Sequence, residues 1–198
     1  MKYRITEFTH PKYPWLHRIQ AVTDIGEHVK CGDLGGFVQS EDNLSQEGTC
    51  WIYDRAICCE DAHVTQAACM YDDAVARECA WIGGTAAMHD EALAEGDSII
   101  KSGSIREKGQ IAGDAFVTKN ERSGYSPLIF GSSRVYGSIS GSLMIKDLVP
   151  PGVKLDNPTK DYIVLENGRW EAIVEEHELH PPESYQKKKK TKSRQPER

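Results

Sequence analysis

Residues 50–97 read CWIYDR AICCED AHVTQA ACMYDD AVAREC AWIGGT AAMHDE ALAEGD, eight hexads that each open on a small residue: Cys50, then Ala56, Ala62, Ala68, Ala74, Ala80, Ala86 and Ala92. Ser98 and Ser104 continue the series. A helix has no use for a period of six. Six is three times the strand repeat, so all these side chains can face one side of extended segments. Two residues after each small position stand Ile52, Cys58, Val64, Met70, Ala76, Ile82, Met88, Ala94 and Ile100, an apolar series that stops at Arg106. Small, x, apolar is an in-out-in strand triplet. Pairs such as Glu60-Asp61, Asp72-Asp73, Gly83-Gly84 and Gly96-Asp97 are turn formers between flat faces. The period therefore predicts an all-β solenoid of six-residue rungs.

The flanking segments divide the chain around this block. Residues 1–43 carry an apolar alternating run at Leu16, Ile19, Ala21 and Val22 and predict a small β-rich N-terminal cap, because an open solenoid end exposes core and strand edges. The repeat β-helix is expected over 44–118, with its phase slipping by one at Ala115-Phe116-Val117. An inserted loop follows over 119–132, then a last partial coil over 133–149 with Ser133, Val135, Ile139, Leu143 and Ile145. Within 150–180, Asn167-Gly168 between alternating apolar runs predicts a C-terminal β-hairpin cap. Residues 181–198 are expected to be a disordered basic tail.

The 198 residues carry a net charge of −6, which conceals an uneven distribution. Lys187 to Arg198 hold seven basic residues and one acid, a net +6, so the first 186 residues carry −12. The tail is the one segment suited to nucleic acid or an acidic partner, although no aromatic residue lies beyond Tyr185 to stack on a base. No apolar run is long enough for a membrane span and MKYRITEFTH has no signal-peptide core, so a cytoplasmic location is expected. The six cysteines form no CxxC pair, and Cys50 and Cys58 occupy inward phases, which favours reduced structural thiols over a metal site.

The block Gly32-Asp33-Leu34-Gly35-Gly36-Phe37-Val38-Gln39-Ser40-Glu41-Asp42-Asn43-Leu44-Ser45-Gln46-Glu47-Gly48, with Cys50-Trp51-Ile52-Tyr53-Asp54 after it, resembles the start of the β-helix in YdcK-like hexapeptide-repeat proteins of bacteria, phages and prophages. The resemblance spans roughly residues 16 to 118. It implies a left-handed parallel β-helix, frequent origin on mobile elements, and an acyltransferase label that rests mainly on fold. Those enzymes place a histidine beside a coenzyme A cleft between subunits and commonly form trimers. The chain departs from the family's V-x-G-[ND]-A pattern, in which a glycine precedes the alanine by two: here stand Asp54, Glu60, Gln66, Asp72, Glu78 and Asp90, with glycine only at Gly84 and Gly96.

Stacking by eighteen turns the sequence into columns about 4.8 Å apart. One corner gathers Asp54, Asp72 and Asp90, ending at Lys108 and flanked by Asp73 and Glu91. Solvated charge, a cation site and a mimic of a phosphate backbone are its three readings. Outward positions give Ile57, Val75, Leu93 and Ile111 on one face, His63, Trp81 and Ile99 on the second, and Trp51, Cys69, Ala87 and Ile105 on the third. Aliphatic columns facing outward suggest cover, either by the chain's own termini or by another subunit of a dimer or trimer. For catalysis the candidates are His89, in a column with Tyr71 and Glu107, and His63. The readings are a noncatalytic oligomeric binding protein that captures or inhibits a host protein or small nucleotide, needing no cofactor; an acyltransferase using acetyl-coenzyme A; and a structural spacer.

Overall fold

The computed structural model describes residues 1–173; the end of the expected cap over 150–180 and the expected basic tail over 181–198 lie outside the described residues. The chain forms a parallel β-solenoid of about seven turns. Strands begin six residues apart, at Trp51, Ile57, His63, Cys69, Val75 and Trp81. Each pairs in parallel with the segment eighteen residues on: Trp51 faces Cys69, Ile57 faces Val75 and His63 faces Trp81. The alanines of the hexads face inward and are at most 1% exposed. Beside them three apolar columns fill the prism. One runs Cys58, Ala76, Ala94, Ile111, Val135, Val149. Another runs Val64, Ile82, Ile100, Val117, Ile139, and the third Ile52, Met70, Met88, Ile105, Ile129, Ile145. Met70 and Met88 are buried in the same core as the small residues Cys58, Ala76 and Ala94 of the first column.

The turns between rungs explain the chain's acidic departure from glycine. Asp54, Glu60, Gln66, Asp72, Glu78, Asp90 and Glu107 all have φ between 50° and 62°, the left-handed region. A non-glycine residue there is held at a cost of about 1–2 kcal/mol. The side chains offset part of it by bonding across coils. Asp54 Oδ2 accepts the backbone N–H of Asp72 at 3.3 Å, Asp72 Oδ2 that of Asp90 at 3.1 Å, Asp90 Oδ2 that of Glu107 at 2.9 Å, and Glu107 Oε2 that of Gly131 at 3.0 Å. Glu60 and Glu78 do the same for Glu78 and Gly96, at 2.8 and 2.7 Å. The flanking Asp73 pairs with Arg55 at 2.6 Å and Glu91 with Lys108 at 3.5 Å. The acidic corner is thus a ladder of carboxylates bound to backbone N–H groups, edged by ion pairs.

The phase slip falls one coil earlier than the sequence suggested. Ile100 pairs with Ile82, but Ser102 pairs with Thr85, so one residue is lost opposite Gly83-Gly84. Gly84 has φ +56°, and a Cβ on it would lie 2.0 Å from the Lys101 carbonyl oxygen; only glycine permits the close approach of the shortened coil. From there Ile105, Ile111 and Val117 take the inward positions. Three expectations are corrected as a result. Ile105, expected outward on the third face, is 0% exposed in the core, and Ser104 stands opposite Ala87 in its place. Ile111 faces the core with 0% exposure, and Gln110 stands opposite Leu93 in its place. Glu107, not Lys108, continues the Asp54, Asp72, Asp90 column.

The N-terminal segment forms an antiparallel set, Tyr3–Thr9 with His17–Ala21 and that strand with Leu34–Val38, before Leu34–Val38 starts the parallel ladder against Ile57–Cys58. It closes the open end of the prism: the Tyr3 hydroxyl donates to the Leu44 carbonyl at 2.7 Å, and Lys2 Nζ donates to that of Cys50 at 3.0 Å. The coil that leaves at Lys119 resumes at Leu128–Ile129, which pairs with Ser104 and Ile105, earlier than the expected position 133. Asn120 pins the intervening loop. Its amide donates to both Asp156 carboxylate oxygens at 2.8 and 3.0 Å, and its oxygen accepts from the N–H groups of Arg122 and Ser123. Tyr162–Glu166 and Arg169–Ile173 form a hairpin around Asn167 and Gly168, both with positive φ, and its first strand also extends the parallel ladder on Leu143–Ile145. Among the described residues no helix is long and apolar enough to cross a membrane.

Candidate functional site

His89 follows the strand Trp81–Met88 at a corner where aromatic rings stack coil upon coil. Tyr53 and Tyr71 lie 4.6 Å apart at 7°, and Tyr71 and His89 4.6 Å apart at 3°. The shortened coil brings Arg106, one residue after the Ile105 that pairs with Met88, to the next rung. Glu107 sits one residue further on, in the corner ladder, bound to Gly131. The Tyr71, His89, Glu107 trio therefore does not assemble. Burial, then the Arg106 guanidinium, hold the half-buried His89 imidazole below its ordinary pKa, against the opposing pull of Asp72 and Asp90. Burial also raises the Tyr71 hydroxyl, with Cys69 adding to the shift. The corner holds an imidazole in an aromatic stack, with no carboxylate hydrogen-bonded to it among the described residues.

His63 is occupied structurally. Its Nδ1–H donates to the Asp42 carbonyl, within the 3-10 turn Glu41–Asn43 that leads the chain into the prism. On the first outer face, Ile57, Val75 and Leu93 align one coil apart and are half-buried. Ile57 packs with Tyr13 against Leu16, Phe37 and Cys59 of the chain's own N-terminal region. Trp51 is not an outer contact at all. It is 1% exposed beneath the N-terminal strands, with the Tyr3 ring edge-on at 6.3 Å.

The second face carries a groove of about 730 Å³. Its floor is Trp81 and Ile99, paired across adjacent coils. The indole lies flat over Gly83, where a Cβ would be 2.1 Å from the ring, so the missing side chain creates an aromatic platform. Cys79 and Asp97 stand on one flank, two residues before the floor; Lys101, Thr118 and Lys119 stand on the other. Asp97 interacts with the Cys79 thiol, whose pKa is raised mainly by desolvation and then by Asp97. Lys101 Nζ lies 5.2 Å from the Phe116 ring centroid. Lys119 begins the loop that Asn120 ties to Asp156, a carboxylate held below its usual range by hydrogen bonds from Ser140 and Asn120.

Trp81 and Ile99 were legible as outward residues. Lys101, Thr118, Lys119, Asp97 and Cys79 were not singled out, although two lysines close to a Trp-x-Gly-Gly segment in an acidic body were a usable signal. Among the described residues, no group of three or more His, Cys, Asp or Glu side chains converges as a metal site. Comparison with protein-family models and with curated proteins found no match for the chain.

Proposed function

We propose that this chain is a noncatalytic β-helix binding protein that captures its ligand on the outer face around Trp81. The observation that carries this reading is the indole platform over Gly83, bordered by acid on one flank and two lysines on the other. A rigid prism holds such a surface in place without the entropy cost of ordering a loop on binding. The His89 corner supports the same reading, because Glu107 bonds Gly131 and leaves the imidazole with Tyr71 and Arg106 as neighbours. The resemblance to hexapeptide-repeat proteins of mobile elements extends the proposal to a phage or prophage accessory that sequesters a host component. Self-association through Ile57, Val75 and Leu93 belongs to the same proposal.

Native mass spectrometry after incubation with a bacterial small-molecule extract tests it. A discrete adduct is expected on the wild-type chain and not on Trp81→Ala. Two results would reject the proposal: no adduct on either, or acetyl-coenzyme A turnover that His89→Ala abolishes.

A further inference from the structure

The first 186 residues carry −12. Some cations of the coils pair with acids in a neighbouring coil: Arg55 with Asp73, Arg77 with Glu95, Lys108 with Glu91. Neither Lys101 nor Lys119 enters an ion pair among the described residues. Lys101 instead lies over Phe116, beside the Trp81 and Ile99 floor. Chain order then sets the arrangement. Asp97 lies in the turn before the strand Ile99–Ile105 and Lys101 lies within it, so the acid and the cation stand two residues to either side of Ile99. Thr118 lies one coil from Lys101, since Ile100 pairs with Val117, and adds a hydroxyl at the cationic end.

A ligand that matches this order has an anion at one end, a flat ring in the middle and a hydrogen-bond donor at the other end. We propose that the groove binds a nucleoside phosphate. The base lies over Trp81 and Ile99, the phosphate sits between Lys101 and Lys119, and an exocyclic amino group donates to Asp97. Stacking on an indole supplies affinity for any base, whereas Asp97 favours bases that carry an amino group. The lysines supply point charges suited to a phosphate whose exact pose is not fixed. The groove volume falls within the range of small-molecule sites, about 300–1,000 Å³. This assignment rests on the reading of the chain as a binding protein.

Isothermal titration with AMP, GMP, CMP and UMP, and with adenosine, guanosine and inorganic phosphate alone, tests the assignment. At least one amino-bearing monophosphate is expected to bind with a dissociation constant on the order of 10 µM, the affinity of about two dozen heavy atoms at the efficiency of drug-sized ligands. Its nucleoside and inorganic phosphate should each bind at least tenfold more weakly. Lys101→Ala with Lys119→Ala, and separately Trp81→Ala, should weaken the nucleotide at least tenfold. Trp81→Phe, which keeps a ring, should lose less, and melting curves of each variant establish that it is folded. The assignment is overturned if no nucleotide binds at millimolar concentration, or if a nucleotide binds equally well to the folded lysine and Trp81→Ala variants. Trp81-dependent capture of a ligand without a nucleotide would overturn the assignment and leave the binding function standing. Turnover of acetyl-coenzyme A lost in His89→Ala would overturn both.

Discussion

Asp72 shows how one side chain serves a solenoid corner. Its φ of 56° excludes a β-branched residue, and its Oδ2 accepts the N–H of Asp90. Asp72→Asn keeps both the tolerance of left-handed backbone and an acceptor oxygen, so chemical denaturation should find it within about 0.5 kcal/mol of wild type. Asp72→Val loses both and should cost about 1–3 kcal/mol. Equal losses in the two variants would mean that charge, not geometry, holds the corner. Ser98 stands at an alanine position, 0% exposed, with its hydroxyl unpartnered among the described residues. Ser98→Ala should therefore raise stability by about 1 kcal/mol. His89 makes the third case. Its folded pKa lies below its ordinary 6.5, so between those two values the unfolded chain binds the extra proton and stability falls as pH drops. Well above pH 6.5 both states are neutral and the effect is absent. His89→Phe keeps a ring in the stack and removes the titration, so its melting temperature should fall less than that of wild type between pH 7 and pH 5. Parallel curves would contradict the placement of His89.

Gly84 is the corresponding device for an element. Substituting Ala there puts a Cβ 2.0 Å from the Lys101 carbonyl oxygen at a left-handed φ, so Gly84→Ala should lose at least 2 kcal/mol, about what a strained backbone position plus a displaced coil costs. The neighbouring rungs were readable because alanines and in-out-in triplets repeat without interruption from Cys50 to Ile100. The shortened coil was less readable, since Ser104 is small and keeps the old phase by coincidence. The contrary signal was the five-residue step from Ile100 to Ile105, followed by steps of six to Ile111 and Val117. Missing it moved Ile111 to the wrong side and set Glu107 beside His89. The Trp51 misplacement has another cause: repeat phase says outward, but the cover comes from Tyr3, about fifty residues away in sequence, and no period encodes that contact.

At the scale of the whole molecule, three outer faces have different fates. The Trp51 face is closed at its first coil by the chain's own N-terminal strands. The Ile57, Val75, Leu93 face is half-buried, and light scattering should report monomers for Val75→Glu with Leu93→Glu if it joins subunits; an unchanged oligomeric mass removes that part of the proposal. The remaining face holds the Trp81 groove. Its central claim, capture of a small ligand on that platform, is read most directly from the indole N–H resonances of the four tryptophans. The Trp81 signal, assigned with Trp81→Phe, should shift on titration with a nucleoside monophosphate while those of Trp15, Trp51 and Trp170 hold still. A Trp81 resonance that stays fixed throughout the titration would contradict the account.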